Sequence, residues 1–212
     1  MTLKIDLYSE ISCPWSFIGH HRLDKVLKEK FAEVSVEIDH HPVLLLPDAP
    51  TEGLYIPDLL RPRYGITDPK QAFARPESEA RASGFPLDLS KQLRAYPTRP
   101  AHALLLAAKE KGTQHPFAVA VTDANFLDAK NIGDPEVLAD IALRYGFTHD
   151  EAVSIAHSPE WHRKVDEAAT QAARRGVRSV PHLIFGDSVS TSGGQSEGEI
   201  EAAIARARQH HP

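Results

Sequence analysis

The chain has 212 residues, of which 42% are hydrophobic and 25% charged, an ordinary globular composition that excludes a disordered chain. A formal net charge of −5 argues against a nucleic-acid footprint, which needs clustered Lys and Arg. No apolar run approaches the roughly 18 residues a membrane helix needs, so neither nucleic acid nor membrane is an expected partner. Leu3, Ile5 and Leu7 alternate with Lys4, Asp6 and Tyr8, the period of a half-buried strand. No basic, apolar leader precedes it, which predicts a cytoplasmic, reducing setting. Pro14 then fits the first position of a helix capped by Ser12 or Cys13. Leu23, Val26, Leu27 and Phe31 form the apolar face of that helix. Val34, Val36 and Ile38 alternate again, so the first 41 residues read as a parallel strand–helix–strand unit.

From about residue 48 to residue 100, prolines cut the chain into short helices and loops. Longer helices are predicted over 99–111, after Asp134-Pro135, over 148–157 and over 160–175. The β pattern returns at the end. His182 to Phe185, the Gly186-Asp187 turn and Ser188 to Thr191 read as a hairpin, and Gly193-Gly194 opens a last helix with Ile200, Ala203, Ile204 and Ala207 on one face.

The order βαβ, helical block, ββα carries Cys13-Pro14-Trp15-Ser16 at the first strand–helix junction and Val180-Pro181 before the hairpin. With Asn131-Ile132-Gly133-Asp134-Pro135 and Gly193-Gly194-Gln195, it resembles the DsbA-like thioredoxin-fold family and, more narrowly, its FrnE-type branch. The resemblance implies an α/β thioredoxin fold with a large all-helical insertion. Residues 1–47 and 176–212 would form the thioredoxin-like domain and 48–175 the helical one. It also implies that Val180–Pro181 is cis and lies beside Cys13. Kappa-class glutathione transferases and hydroxychromene-carboxylate isomerases are relatives in which a serine replaces that cysteine.

Cys13 is the only cysteine, so no internal disulfide can form, and a structural zinc site, which needs several clustered ligands, is not expected. At a helix N-terminus its thiolate would face unpaired N–H groups and the positive end of the dipole, and the Ser16 hydroxyl could donate to the sulfur. All three would lower the thiol pKa. Ser16 stands where the family usually has a second cysteine. The expected activity is therefore thiol–disulfide exchange of a monothiol type, with Cys13, Ser16 and Pro181 as catalytic residues. Pro14, Trp15, Val180, His182, Gly194 and Gln195 are the candidate substrate-binding residues. No tightly bound cofactor is expected; glutathione enters as a cosubstrate, and the partner is a thiol or disulfide client protein or a small molecule, the chain being a monomer or homodimer. The alternatives are a glutathione-dependent transferase or isomerase and a non-catalytic peptide-binding module. His20, His21 and His182 are candidates for proton transfer. His40 and His41, adjacent on a strand, point to opposite faces and cannot share a metal. Residues 96–102 are expected to line the cleft over Cys13.

Overall fold

The structure is a computed structural model; it describes residues 2–210, and the ends of the expected domains at Met1, His211 and Pro212 lie outside the described residues. Strand β1 (Leu3–Ser9) leads through Cys13 into helix α1 (Pro14–Lys30) and strand β2 (Val36–Pro42). The two strands pair in parallel, Leu3 opposite Val36 and Ser9 opposite Pro42. Strands β3 (Leu54–Tyr55) and β4 (Arg94–Ala95) bracket helices α2 (Ile56–Tyr64) and α3 (Pro69–Ala82). Then come α4 (Arg99–Glu110), α5 (Gln114–Phe126), α6 (Pro135–Ala142), α7 (His149–His157) and α8 (Pro159–Arg174). The chain closes with β5 (His182–Phe185), β6 (Val189–Ser192) and α9 (Glu197–His210). The main sheet has the order β2-β1-β5-β6, with β5 antiparallel to both neighbours.

The expected apolar faces are the ones that pack. Leu3, Ile5 and Leu7 of β1 meet Leu23 and Val26 of α1, and Ile200, Ala203, Ile204 and Ala207 of α9 cover the same core. A second core joins α4, α5, α6 and α7 around Leu104, Phe117, Val121 and Leu138, and takes in Ile11 from the loop before Cys13. A third packs Phe17 and Ile18 of α1 against α2 and α3. Helix α1 is thus wedged between the sheet and the helical segment.

Two local expectations are corrected, and one helix comes unannounced. The segment 48–175 is not purely helical: Leu54–Tyr55 pairs antiparallel with Arg94–Ala95. Helix α5 escapes the periodicity because buried residues are spread around its axis, among them the polar Gln114, Thr122 and Asn125. Helix α9 begins at Glu197 rather than at the glycine pair. There the Ser196 hydroxyl accepts from Glu199 N–H at 3.3 Å and the Glu199 carboxylate accepts from Ser196 N–H at 2.7 Å, a reciprocal cap that defines the first turn.

Candidate functional site

Cys13 is the N-cap residue of α1, with extended backbone (φ −91°, ψ 123°) and Pro14 in the first turn. Its amide donates to Glu10 O at 3.0 Å, and its carbonyl accepts from Ser16 and Phe17 N–H. Cys13 is half-buried as a residue, and its thiol is closely hemmed in by protein atoms. That crowding decides its titration. Burial pushes the Cys13 thiol above its ordinary pKa, and the negative charge of Glu10 adds to the rise. The N–H groups of Ser16 and Trp15 pull the other way, and the Ser16 hydroxyl does so most weakly. The expected donors are present, but desolvation outweighs them, so the expectation of a lowered pKa is reversed. Ser16 is itself buried, and its Oγ has no regular hydrogen-bond partner.

The Val180–Pro181 bond is cis. Two close approaches bring the start of α1 to the distant loops. A Cβ on Gly19 would lie 2.7 Å from Pro181 Cγ, and one on Gly194 would lie 2.3 Å from Trp15 Cε3. Trp15 therefore lies across the Gly194 backbone, with the Arg75 guanidinium 5.3 Å from its ring centre on the other element it touches. Replacing Gly194 by Ala forces that indole to move. We expect a change in Trp15 fluorescence and a loss of about 1–3 kcal/mol in urea unfolding.

The glycine loop is tied into the fold by several of its polar groups. Gly193 N–H donates to Pro181 O at 2.8 Å, Ser196 N–H is held by Glu199, and the Gln195 carbonyl accepts from Arg22 at 2.7 Å. The Gln195 amide donates to Ser192 O at 2.9 Å. These groups of the loop are committed within the fold. Arg22, missed by the sequence reading, is the clamp here: it also donates to Ser83 Oγ, Glu79 O and the Glu79 carboxylate.

His182 is half-buried and edge-on to Tyr8 at 5.8 Å, with burial lowering its pKa. His21 is tied to Asp123 at 2.7 Å and packed against Phe17 and Phe85, a structural role. The segment 96–102 reaches the site from behind, through Glu10: the Thr98 hydroxyl donates to its carboxylate at 3.2 Å, and His102 Nε2 lies 3.5 Å from it. Among the described residues Asp6, Asp39 and His41 are close enough to hold a cation. The Lys109 ammonium already sits on Asp39, however, and His41 is bonded to Asp6 at 2.6 Å.

Residues 4–205 match the family model of the DSBA-like thioredoxin domain. The chain belongs to that family. YwbO of Bacillus subtilis strain 168, an uncharacterized protein, is 25% identical over 209 residues, covering 97% of each chain. A probable DsbA oxidoreductase from Streptomyces coelicolor, SCO1869, superposes with a TM-score of 0.86 at 25% identity, covering 99% of this chain and 92% of its own. The cytosolic disulfide reductase DsbM from Pseudomonas aeruginosa with GSH has the same fold at 12% identity, with a TM-score of 0.63 and coverage of 98% and 96%. Membership in this DsbA-like family gives the chain a thioredoxin fold, and the Streptomyces coelicolor protein of that fold is described as a probable oxidoreductase. Among the described residues no helix is long and apolar enough to cross a membrane.

Proposed function

We propose that this protein exchanges thiols and disulfides through Cys13 alone, with glutathione as the resolving thiol and the cytoplasm as its setting. The observation that carries the reading is a single, half-buried cysteine at the N-cap of α1, with the Trp15 and Ser16 amides facing its sulfur and a serine where a resolving thiol would stand. The chemistry balances in two steps. Cys13 sulfur attacks a disulfide, forming a mixed disulfide and releasing one thiolate. Glutathione thiolate then attacks the substrate sulfur of that mixed disulfide, forming a glutathione–substrate disulfide and releasing Cys13 as the leaving thiolate. DsbM, a relative in fold, is described as a cytosolic disulfide reductase and was solved with GSH, which supports glutathione as the cosubstrate. Pro14, Trp15, Val180, His182, Gly194 and Gln195 are the proposed contacts for the incoming disulfide, and Pro181 the residue that seats it. A client protein or a small disulfide fits this reading, with the chain acting as monomer or homodimer.

A second reading follows from the raised pKa of Cys13. A thiol that stays protonated can donate a hydrogen bond to a bound glutathione thiolate, as the serine does in the related isomerases, and a transferase or isomerase would result. One substitution separates the two. In a glutathione-coupled assay with a low-molecular-weight disulfide, Cys13→Ser abolishes turnover if Cys13 is the nucleophile. Turnover of a small electrophile retained by Cys13→Ser supports the second reading and overturns the first.

A further inference from the structure

Behind Cys13 lies a file of buried titratable side chains drawn from four elements. Glu10 is completely buried. Its Oε1 accepts from Ser12 N–H at 3.3 Å, and its Oε2 from Leu45 N–H at 3.0 Å and Thr98 at 3.2 Å. His102, buried in the first turn of α4, faces Oε1 at 3.5 Å. Next come His20, on α1, and His40, on β2, ring centres 5.2 Å apart and crossed edge-on. A charge on His102 disfavours a charge on either ring. His40 Nε2 then meets His115 Nδ1 at 2.7 Å, and His115 Nε2 meets Asp24 Oδ1 at 2.7 Å. His115, on α5, is half-buried and lines a surface cleft of about 350 Å³ with Asp39, Lys109 and Gln114. That cleft borders Val36 to Asp39, the end of β2 away from the site, since Cys13 follows Ser9, which pairs with Pro42.

As packing alone this arrangement is costly. Both nitrogens of His20, Nδ1 of His40 and Nε2 of His102 are buried without a hydrogen-bond partner. Each such atom forfeits about 1–3 kcal/mol. Imidazole takes a proton on one nitrogen while releasing one from the other, so a row of imidazoles can pass a proton; here His20, with both nitrogens unpartnered, has to turn to hydrogen-bond its neighbours one after the other. Burial and the neighbouring histidines hold His20 and His40 neutral, so a proton on them is in transit rather than stored.

We propose that Glu10, His102, His20, His40 and His115 form a buried proton path joining Cys13 to the cleft at the far end of β2. This rests on the thiol-exchange reading and deepens it. A disulfide docked over Cys13 covers the open face, and the thiol, held protonated, must lose its proton as it attacks. The proton passes to the Glu10 carboxylate and leaves along the histidines. The Cys13 sulfur bonds to one sulfur of glutathione disulfide, the old S–S bond breaks, and the departing thiolate takes a proton from solvent once it has left the covered face. Glu10 and the histidines are positioning residues in this scheme; Cys13 alone bonds to substrate.

The test is the single-turnover rate of Cys13 glutathionylation by glutathione disulfide at pH 7. His115→Gln keeps hydrogen bonds but cannot relay a proton; His115→Ala opens a space that free imidazole can enter from the cleft. We expect both variants to slow by about tenfold, and added imidazole to restore the alanine variant but not the glutamine one. The midpoint of Cys13 alkylation against pH should not move. A glutamine variant that reacts at the wild-type rate overturns the path, as does an alanine variant that is folded, slow and indifferent to imidazole. If alanine fails to fold, the glutamine variant decides. Wild-type protein that takes up no glutathione at all overturns the exchange reading itself, a result distinct from either variant outcome.

Discussion

Ser16→Cys is expected to turn a slow monothiol into a dithiol catalyst, raising reduction of a protein disulfide by about tenfold or more. Residue 16 sits three positions after Cys13 in the first turn of α1, and its amide and hydroxyl already face the Cys13 sulfur. A thiol placed there attacks the mixed disulfide intramolecularly, at an effective concentration that external glutathione does not reach. The change costs the fold little. The Ser16 hydroxyl is completely buried and lacks a regular hydrogen-bond partner, so a thiol of nearly the same shape replaces an unsatisfied polar atom. The check is insulin reduction driven by dithiothreitol, compared between the native chain and the variant. Equal rates would mean that residue 16 is not aimed at the bond formed on Cys13.

The second large effect is acid lability set by His20 and His40. Both are completely or nearly completely buried, and burial holds each pKa well below the ordinary 6.5, with the charge of His115 as the next cause. Above pH 6.5 both are neutral, folded or unfolded, and contribute nothing to pH dependence. Below it the unfolded chain binds two protons that the folded chain refuses. Stability therefore falls as pH drops through the window between 6.5 and the depressed folded values, by up to about 1.4 kcal/mol per pH unit for each histidine. His182, whose pKa is also lowered by burial, adds in the same direction. The carboxyls of Asp88, Glu151 and Glu199, lowered by hydrogen bonds at the surface, act only at more acid pH. Urea unfolding from pH 7.5 to 5 should show a plateau followed by a steep decline, and His20→Leu should remove about half of the slope. A flat profile down to pH 5.5 would contradict the burial of these rings as neutral groups.

The contrast between site and surroundings explains what could be read from the residues alone. Strand period, the Pro14 helix start and the apolar stripe of α9 are local signals, and each produced the element it announced. Cys13 was legible for the same reason: a cap position is written in four consecutive residues. Its titration was not, because the sign depends on how many atoms crowd the sulfur and on a buried Glu10 whose neighbours, Leu45 and Thr98, are far along the chain. The histidine file was equally hidden. His20, His40, His102 and His115 come from α1, β2, α4 and α5, and only tertiary packing makes them neighbours. One trace existed: His20 falls three residues before Leu23, on the apolar face of α1, where a polar ring is out of place. The reciprocal Ser196–Glu199 cap was also present in the sequence, but the glycine pair just before it gave the louder signal.

The measurement that bears most directly on the central claim is the intact mass of the native protein after incubation with glutathione disulfide, followed by peptide mapping. The account predicts one glutathione per chain, on Cys13, removed again by excess reduced glutathione, with uptake accelerating as pH rises because burial holds the thiol protonated. A native chain that gains no mass, while the same chain unfolded in urea is modified at Cys13, would contradict thiol exchange as its activity.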